Sequence, residues 1–85
     1  MNDKPRHILE TFREDRHTIA HLFEQDDEFL ALCEDYDACI NALRYWAKSK
    51  APEAKTRVHE YQNLVQELEE EISLALAARE PGGLD

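Results

Sequence analysis

Apolar residues recur in alternating steps of four and three positions through the C-terminal part of the chain. Such heptad spacing, held for about three repeats, is typical of a helix that packs lengthwise against another helix. It predicts a long helix over residues 52–79, ended by Pro81, Gly82 and Gly83, with residues 81–85 as a disordered tail. The residues in the pattern are Ala54, Val58, Tyr61, Val65, Leu68, Ile72 and Ala75.

A second amphipathic helix is predicted over residues 27–49. At about 100° per residue, its apolar side chains fall on one broad side, while Glu34, Asp35 and Lys48 fall outside it. Asp26 or Asp27 can cap its N-terminus. The apolar residues on that side are Phe29, Leu32, Cys33, Tyr36, Cys39, Ile40, Leu43, Trp46 and Ala47.

The short connection between these two helices predicts that they run antiparallel. Residues 49–53 contain Pro52, which disfavours helical geometry at Ala51 and suits the first turn of the next helix.

A third helix is predicted over residues 5–24, although Asp15 and Arg16 interrupt its apolar face. The expected fold is therefore all-α: one domain over residues 1–80, a long helical hairpin with an N-terminal helix packed against it in a bundle-like arrangement. The chain has two glycines and three prolines, which agrees with helices rather than with a loop-rich or all-β fold.

The small size of the chain favours self-association. An 85-residue chain buries only about 60% of its unfolded surface, which leaves a marginal core. Residues 72–78 are apolar on more than one side, so either the N-terminal helix of the same chain or a second copy must cover them. We expect a homodimer. The residues expected to mediate self-association are Leu68, Ile72, Leu74, Ala75 and Leu76.

Charge is sorted along the predicted hairpin. The whole chain has a net charge of −9, made up mainly of −7 over residues 24–40, +4 over residues 41–57 and −5 over residues 58–80. The turn of the hairpin is therefore basic and its open end acidic. The basic turn and an exposed aromatic residue form a candidate partner-binding site: Arg44, Tyr45, Lys48, Lys50, Lys55 and Arg57. The alternative is that these cations interact favourably with the helix dipole and form local ion pairs, as Arg57 could with Glu53.

The overall acidic charge argues against two classes of partner. Nucleic acids and anionic membrane surfaces both bind through an excess of Lys and Arg, which this chain does not have. No apolar run approaches the roughly 18 residues that span a bilayer, and the mean hydropathy is −0.70. With no signal peptide at its N-terminus, the chain is expected to be cytoplasmic, with Cys33 and Cys39 reduced.

Few residues have the spacing that chemistry requires. Glu14, His17 and His21 share one side of the predicted N-terminal helix, but that side points away from the apolar face, so a solvated surface is favoured over a metal site. Cys33 and Cys39 lie about 120° apart around one helix and are expected to be structural. We expect no enzyme activity, no cofactor and no metal. The favoured function is a structural or protein–protein interaction module; the alternative is a small regulatory module that binds a metal or ligand through the His17 and His21 surface or beside Trp46.

The hairpin resembles the YdcH-like family of short bacterial proteins. The resemblance covers about 45 residues and lies in Phe29-x-x-Leu32-x-x-x-Tyr36-x-x-x-Ile40 and in Leu64-x-x-Glu67-Leu68-x-x-Glu71-Ile72. It implies a helical hairpin, and the family, whose function is unknown, contributes no functional residues. Trp46, the two cysteines and the longer N-terminal helix depart from the usual pattern of the family.

Overall fold

The computed structural model describes residues 4–79, and within this range the regular structure is helical, with no strand. Four α-helices are present: α1 (His7–Thr11), α2 (Arg16–Gln25), α3 (Asp27–Lys48) and α4 (Ala54–Arg79). A short 3-10 helix, Arg13–Asp15, separates α1 from α2. The all-α prediction is confirmed. The predicted tail, residues 81–85, lies outside the described residues.

Helices α3 and α4 form the hairpin. The Asp26 side chain accepts a hydrogen bond of 3.0 Å from the Phe29 amide and caps α3, as the sequence predicts for Asp26 or Asp27. Ser49 adopts an extended conformation and ends α3, and its hydroxyl oxygen accepts a hydrogen bond from the Ala51 amide. Helix α4 then begins at Ala54, two residues later than predicted. Pro52 and Glu53 belong to the turn.

The predicted single helix over residues 5–24 is wrong, because the segment bends at Phe12. Phe12 has φ −111° and ψ 60°, outside the helical region. In a straight helix Asp15 and Arg16 would interrupt the apolar face that Ile8 and Ile19 share. In the bent segment Arg16 is exposed, whereas Ile8 and Ile19 are both fully buried. The bend thus resolves the conflict visible in the sequence.

The core lies at the end of the hairpin away from the turn. Helix α3 is central to it, because α3 contacts α1, α2 and α4. The buried cluster combines residues of all these elements: Ile8, Ile19, Leu22, Phe23, Phe29, Cys33, Tyr36, Val65, Ile72 and Leu76. The N-terminal segment, residues 4–25, shares this core with Ile72 and Leu76 of the apolar stretch at residues 72–78, whereas Leu74 of that stretch is 71% exposed. No helix within the described range is long and apolar enough to cross a membrane.

Candidate functional site

One broad side of the hairpin is occupied by the N-terminal segment. Asp37 of α3 accepts hydrogen bonds from the backbone amides of Arg6 and His7, at 3.1 and 3.0 Å. Arg6 precedes α1 and provides no side-chain cap of its own, so a carboxylate from another helix satisfies these amides. The His7 ring also makes a hydrogen bond of 3.1 Å to Asn41 of α3. These contacts fix where α1 lies on α3.

Tyr36 joins the N-terminal segment to both arms of the hairpin. Its hydroxyl donates a hydrogen bond of 2.7 Å to Glu69 of α4 and lies 2.9 Å from the hydroxyl of Thr11 in α1. Because a phenol has a single O–H, the Thr11 hydroxyl is the donor in the second bond. Burial, with help from the Glu69 carboxylate, raises the pKa of Tyr36 to about 12. The phenol is therefore neutral and serves as a structural link.

The opposite side of the hairpin, here called the open face, is not covered by any other element among residues 4–79. At about 100° per residue, Asp37 lies about 100° to one side of Tyr36, and Cys39 lies about 60° to the other. On α4 the two sides are defined relative to the fully buried Ile72. Glu69 lies on the side of Ile72 that faces the N-terminal segment, and Leu68 lies on the other side. The N-terminal segment thus covers one side of the hairpin, and within the described part of the chain no element covers the other.

Six apolar side chains form the open face, and all six are half-buried. They repeat every seven residues on each arm: Leu32, Cys39 and Trp46 on α3, and Tyr61, Leu68 and Ala75 on α4. The hydrogen bond from Tyr36 to Glu69 fixes the register of the two arms. In that register the six residues pair by position into three layers, Leu32 with Ala75, Cys39 with Leu68, and Trp46 with Tyr61. Trp46 also lines a groove with Val58 and Gln62 of α4. Leu64, 42% exposed, lies beside these layers.

The structure separates the residues predicted for self-association. Ile72 and Leu76 are 0% and 6% exposed and belong to the core of a single chain. Leu68 and Ala75 are half-buried on the open face, where they also pack against that core. Leu74 is 71% exposed and contributes, with Phe12 and Glu70, to a shallow groove of about 660 Å³ between the N-terminal segment and α4.

Three residues of the open face are not among those that the sequence predicts for self-association. The sequence predicts Leu32, Cys39 and Trp46 on the apolar side of α3, and it places the alternative ligand site beside Trp46. Their seven-residue spacing is visible in the sequence. What the sequence does not reveal is which edge of the apolar side the N-terminal segment leaves uncovered.

The predicted partner-binding residues surround the turn but do not form one site. Arg44, Tyr45 and Lys48 line a groove of about 400 Å³ with Asn41 and Ser49. Lys55 lies in a different groove, beside Trp46 and Val58, whereas Lys50 is exposed in the turn between the two arms.

Two of these residues make specific local contacts. Arg57 donates to Glu60 at 2.8 Å, which raises the pKa of its guanidinium, so its ion-pair partner is Glu60 rather than Glu53. The ring of Tyr45, 65% exposed, packs edge-on against Trp46 with 5.1 Å between centroids.

The residues considered for metal or thiol chemistry do not converge within the described range. Glu14, His17 and His21 are exposed, and no three His, Cys, Asp or Glu residues among 4–79 lie together in a way that could hold a metal ion. Burial raises the pKa of the Cys33 thiol to about 12, with a contribution from Glu34. Burial also raises the pKa of Cys39, with a contribution from Asp35. Both cysteines are free thiols, and Cys33 lies within the core.

Comparison of the chain with protein-family models, with curated proteins and with solved structures finds no match. The resemblance to the YdcH-like family therefore stays a prediction. A proposal about function has to be based on the open face and on the distribution of charge.

Proposed function

We propose that the protein is a protein–protein interaction module that associates through its open face. The observation that carries this proposal is the pair of seven-residue repeats, each made of half-buried apolar side chains. Helices that pack lengthwise against other helices interdigitate their side chains at positions with this spacing. A contiguous apolar surface on a small protein is typical of an interaction site.

The composition of the open face supports a protein partner over a small ligand. Its layers contain two aromatic residues, Trp46 and Tyr61, which are enriched at protein interfaces. Small-molecule sites are usually concave and enclose most of their ligand. The open face instead extends along two adjacent helices, which suits one or two partner helices.

Site-specific photo-crosslinking in cells that produce the full chain tests this proposal. A photoreactive amino acid at position 68, on the open face, is expected to form covalent adducts with a protein. The matched control is position 63 on the same helix, where Asn63 is exposed and points away from the core at about 180° from Ile72. Adducts at both positions in equal yield, or at neither, would contradict the proposal.

A second variant shows whether the adduct depends on the open face as a whole. Cys39 lies in the same layer as Leu68 but on the other arm of the hairpin. Cys39→Asp places a charge at a half-buried position that packs against the core, so it is expected to lower stability and to abolish the adduct from position 68; circular dichroism must show that the variant is still helical. An adduct that persists in this variant would count against association through this surface.

A further inference from the structure

The open face extends along the hairpin for the length of its three layers. Leu32 and Trp46 are fourteen residues apart on α3, so the layers span about 21 Å, and two adjacent helices make the face about 20 Å wide. The area is on the order of 420 Å², about half of the roughly 800 Å² that each partner contributes to a specific interface. Residues at the two ends of the hairpin must therefore contribute to a complex as well.

Charge along the hairpin selects the direction in which a second copy can bind. Residues 41–57, at the turn, contain five basic residues and one acidic residue, whereas residues 24–40, at the other end of α3, contain seven acidic residues and no basic one. Two copies aligned with their turns together would bring like charges together at both ends. Two copies with their turns at opposite ends would place the basic turn of each beside the acidic end of the other, which is favourable.

The sizes of the side chains in the three layers select the same direction. The layer nearest the turn contains Trp46 and Tyr61, and the layer farthest from it contains Leu32 and Ala75. With the turns together, the two aromatic layers would meet and the two small layers would leave a gap. With the turns at opposite ends, each aromatic layer meets a small layer, which distributes volume evenly.

We propose that two copies of the chain bind through their open faces with their turns at opposite ends, forming an antiparallel four-helix core. This proposal rests on the proposed function and names its partner. The two-fold axis then passes through the middle layer, so α3 of one copy faces α3 of the other. Glu28, in the first turn of α3, and Lys50, two residues beyond the end of α3, are each eleven residues from Cys39 of that layer, on opposite sides of it. Lys50 of each copy therefore lies at the height of Glu28 of the other.

The mass and the distance between the turns test this arrangement. Light scattering on the purified full chain is expected to give twice the 9.9 kDa of one chain. A spin label on Lys50→Cys, in a Cys39→Ser background, reports the separation of the two turns. The end of α3 at Lys48 lies about 14 Å beyond the middle layer, so turns at opposite ends predict a distance of at least about 27 Å. A distance under about 20 Å, or a monomer at every concentration, would overturn the proposal.

Charge reversal tests the direction without a label. Lys50→Glu is expected to raise the dissociation constant of the dimer about fivefold at low salt, since each dimer contains the Lys50 and Glu28 pair twice and exposed pairs contribute modestly. Glu28→Lys has the same expected effect, and the double variant restores affinity. With the turns together, Lys50 would face basic residues, so Lys50→Glu would strengthen the dimer. The matched control is Arg16→Glu, an equal change of charge on the covered side of the hairpin.

The two proposals fail in different ways. A monomeric purified chain whose position 68 still forms an adduct with a different protein in cells overturns the second copy as partner and supports the interaction module. A chain that forms no adduct in cells and remains a monomer in solution contradicts both. A dimer whose turns lie together supports the interaction module and overturns the antiparallel arrangement.

Discussion

Tyr36 shows how a single side chain links helices that are distant in the sequence, since it joins α3 to α1 and α4. Its ring is 1% exposed in the core, while its hydroxyl contacts Thr11 and Glu69 at the edge of that core. Ring packing and hydrogen bonding are therefore separable at this residue, because phenylalanine retains the first and removes the second.

Tyr36→Phe is expected to lower the free energy of unfolding by about 1–2 kcal/mol, the effect of losing two hydrogen bonds. Urea denaturation followed by circular dichroism at 222 nm measures this loss. Tyr45→Phe is the matched control, since Tyr45 is 65% exposed and no change is expected there. Equal losses in both variants would show that the contacts of Tyr36 do not stabilise the fold.

The Cys33 thiol is expected to be unreactive in the folded protein. It is fully buried, and burial raises its pKa to about 12, so the reactive thiolate is scarce at neutral pH. In a Cys39→Ser variant, which retains Cys33 alone, a thiol reagent should react slowly under native conditions and rapidly in denaturant. Rapid reaction of the native variant at pH 7 would contradict the placement of Cys33 in the core.

At the scale of the elements, the N-terminal segment is held by α3 rather than by its own helical propensity. Helix α1 spans only His7–Thr11, which is too short to be stable alone. Asp37 supplies the cap that Arg6 lacks. The docked position of α1 and α2 therefore depends on one carboxylate together with the buried side chains of Ile8 and Ile19.

Asp37→Ala is expected to loosen the N-terminal segment and to lower stability by about 1 kcal/mol, as the loss of a helix cap does. Hydrogen exchange should become faster over residues 7–25 while α4 stays protected. The matched control is Asp35→Ala, which removes an exposed carboxylate from the same helix. Uniform loss of protection across both arms of the hairpin would argue against this local role for Asp37.

At the scale of the whole molecule, the two heptad positions Leu68 and Ile72 have different roles. Ile72 is 0% exposed and lies under the N-terminal segment, whereas Leu68 lies half-buried on the open face. From the heptad pattern alone, an aspartate at either position would be expected to unfold or dissociate the protein. The structure distinguishes the two outcomes.

Ile72→Asp is expected to unfold the chain, since it places an unpaired charge in the only core that residues 4–79 form, and a domain of this size has little stability to lose. Leu68→Asp should keep its helical content and lose the ability to associate. Circular dichroism and light scattering together separate the two effects. Unfolding of both variants would show that the open face belongs to the core of a single chain.

The hairpin was predictable because helical periodicity is a local property. The spacing of apolar residues over residues 27–49 and 52–79 marks α3 and α4 to within two residues at each end. The bend at Phe12 was not predictable to the same degree, because Asp15 and Arg16 signal a conflict without revealing how the chain resolves it. The Asp37 cap was also invisible, since it joins amides and a carboxylate about thirty positions apart.

The sequence by itself determined the two long helices, their antiparallel pairing and the separation of basic and acidic charge along the hairpin, because each depends on neighbours within a few residues or one turn. Only the tertiary structure decided which side of the hairpin the N-terminal segment covers. That choice depends on long-range contacts such as Asp37 with the α1 amides and Tyr36 with Thr11. It buries Ile72 and Leu76 and leaves Leu68 half-exposed, because a short bent segment can cover one side of a helical pair and not both.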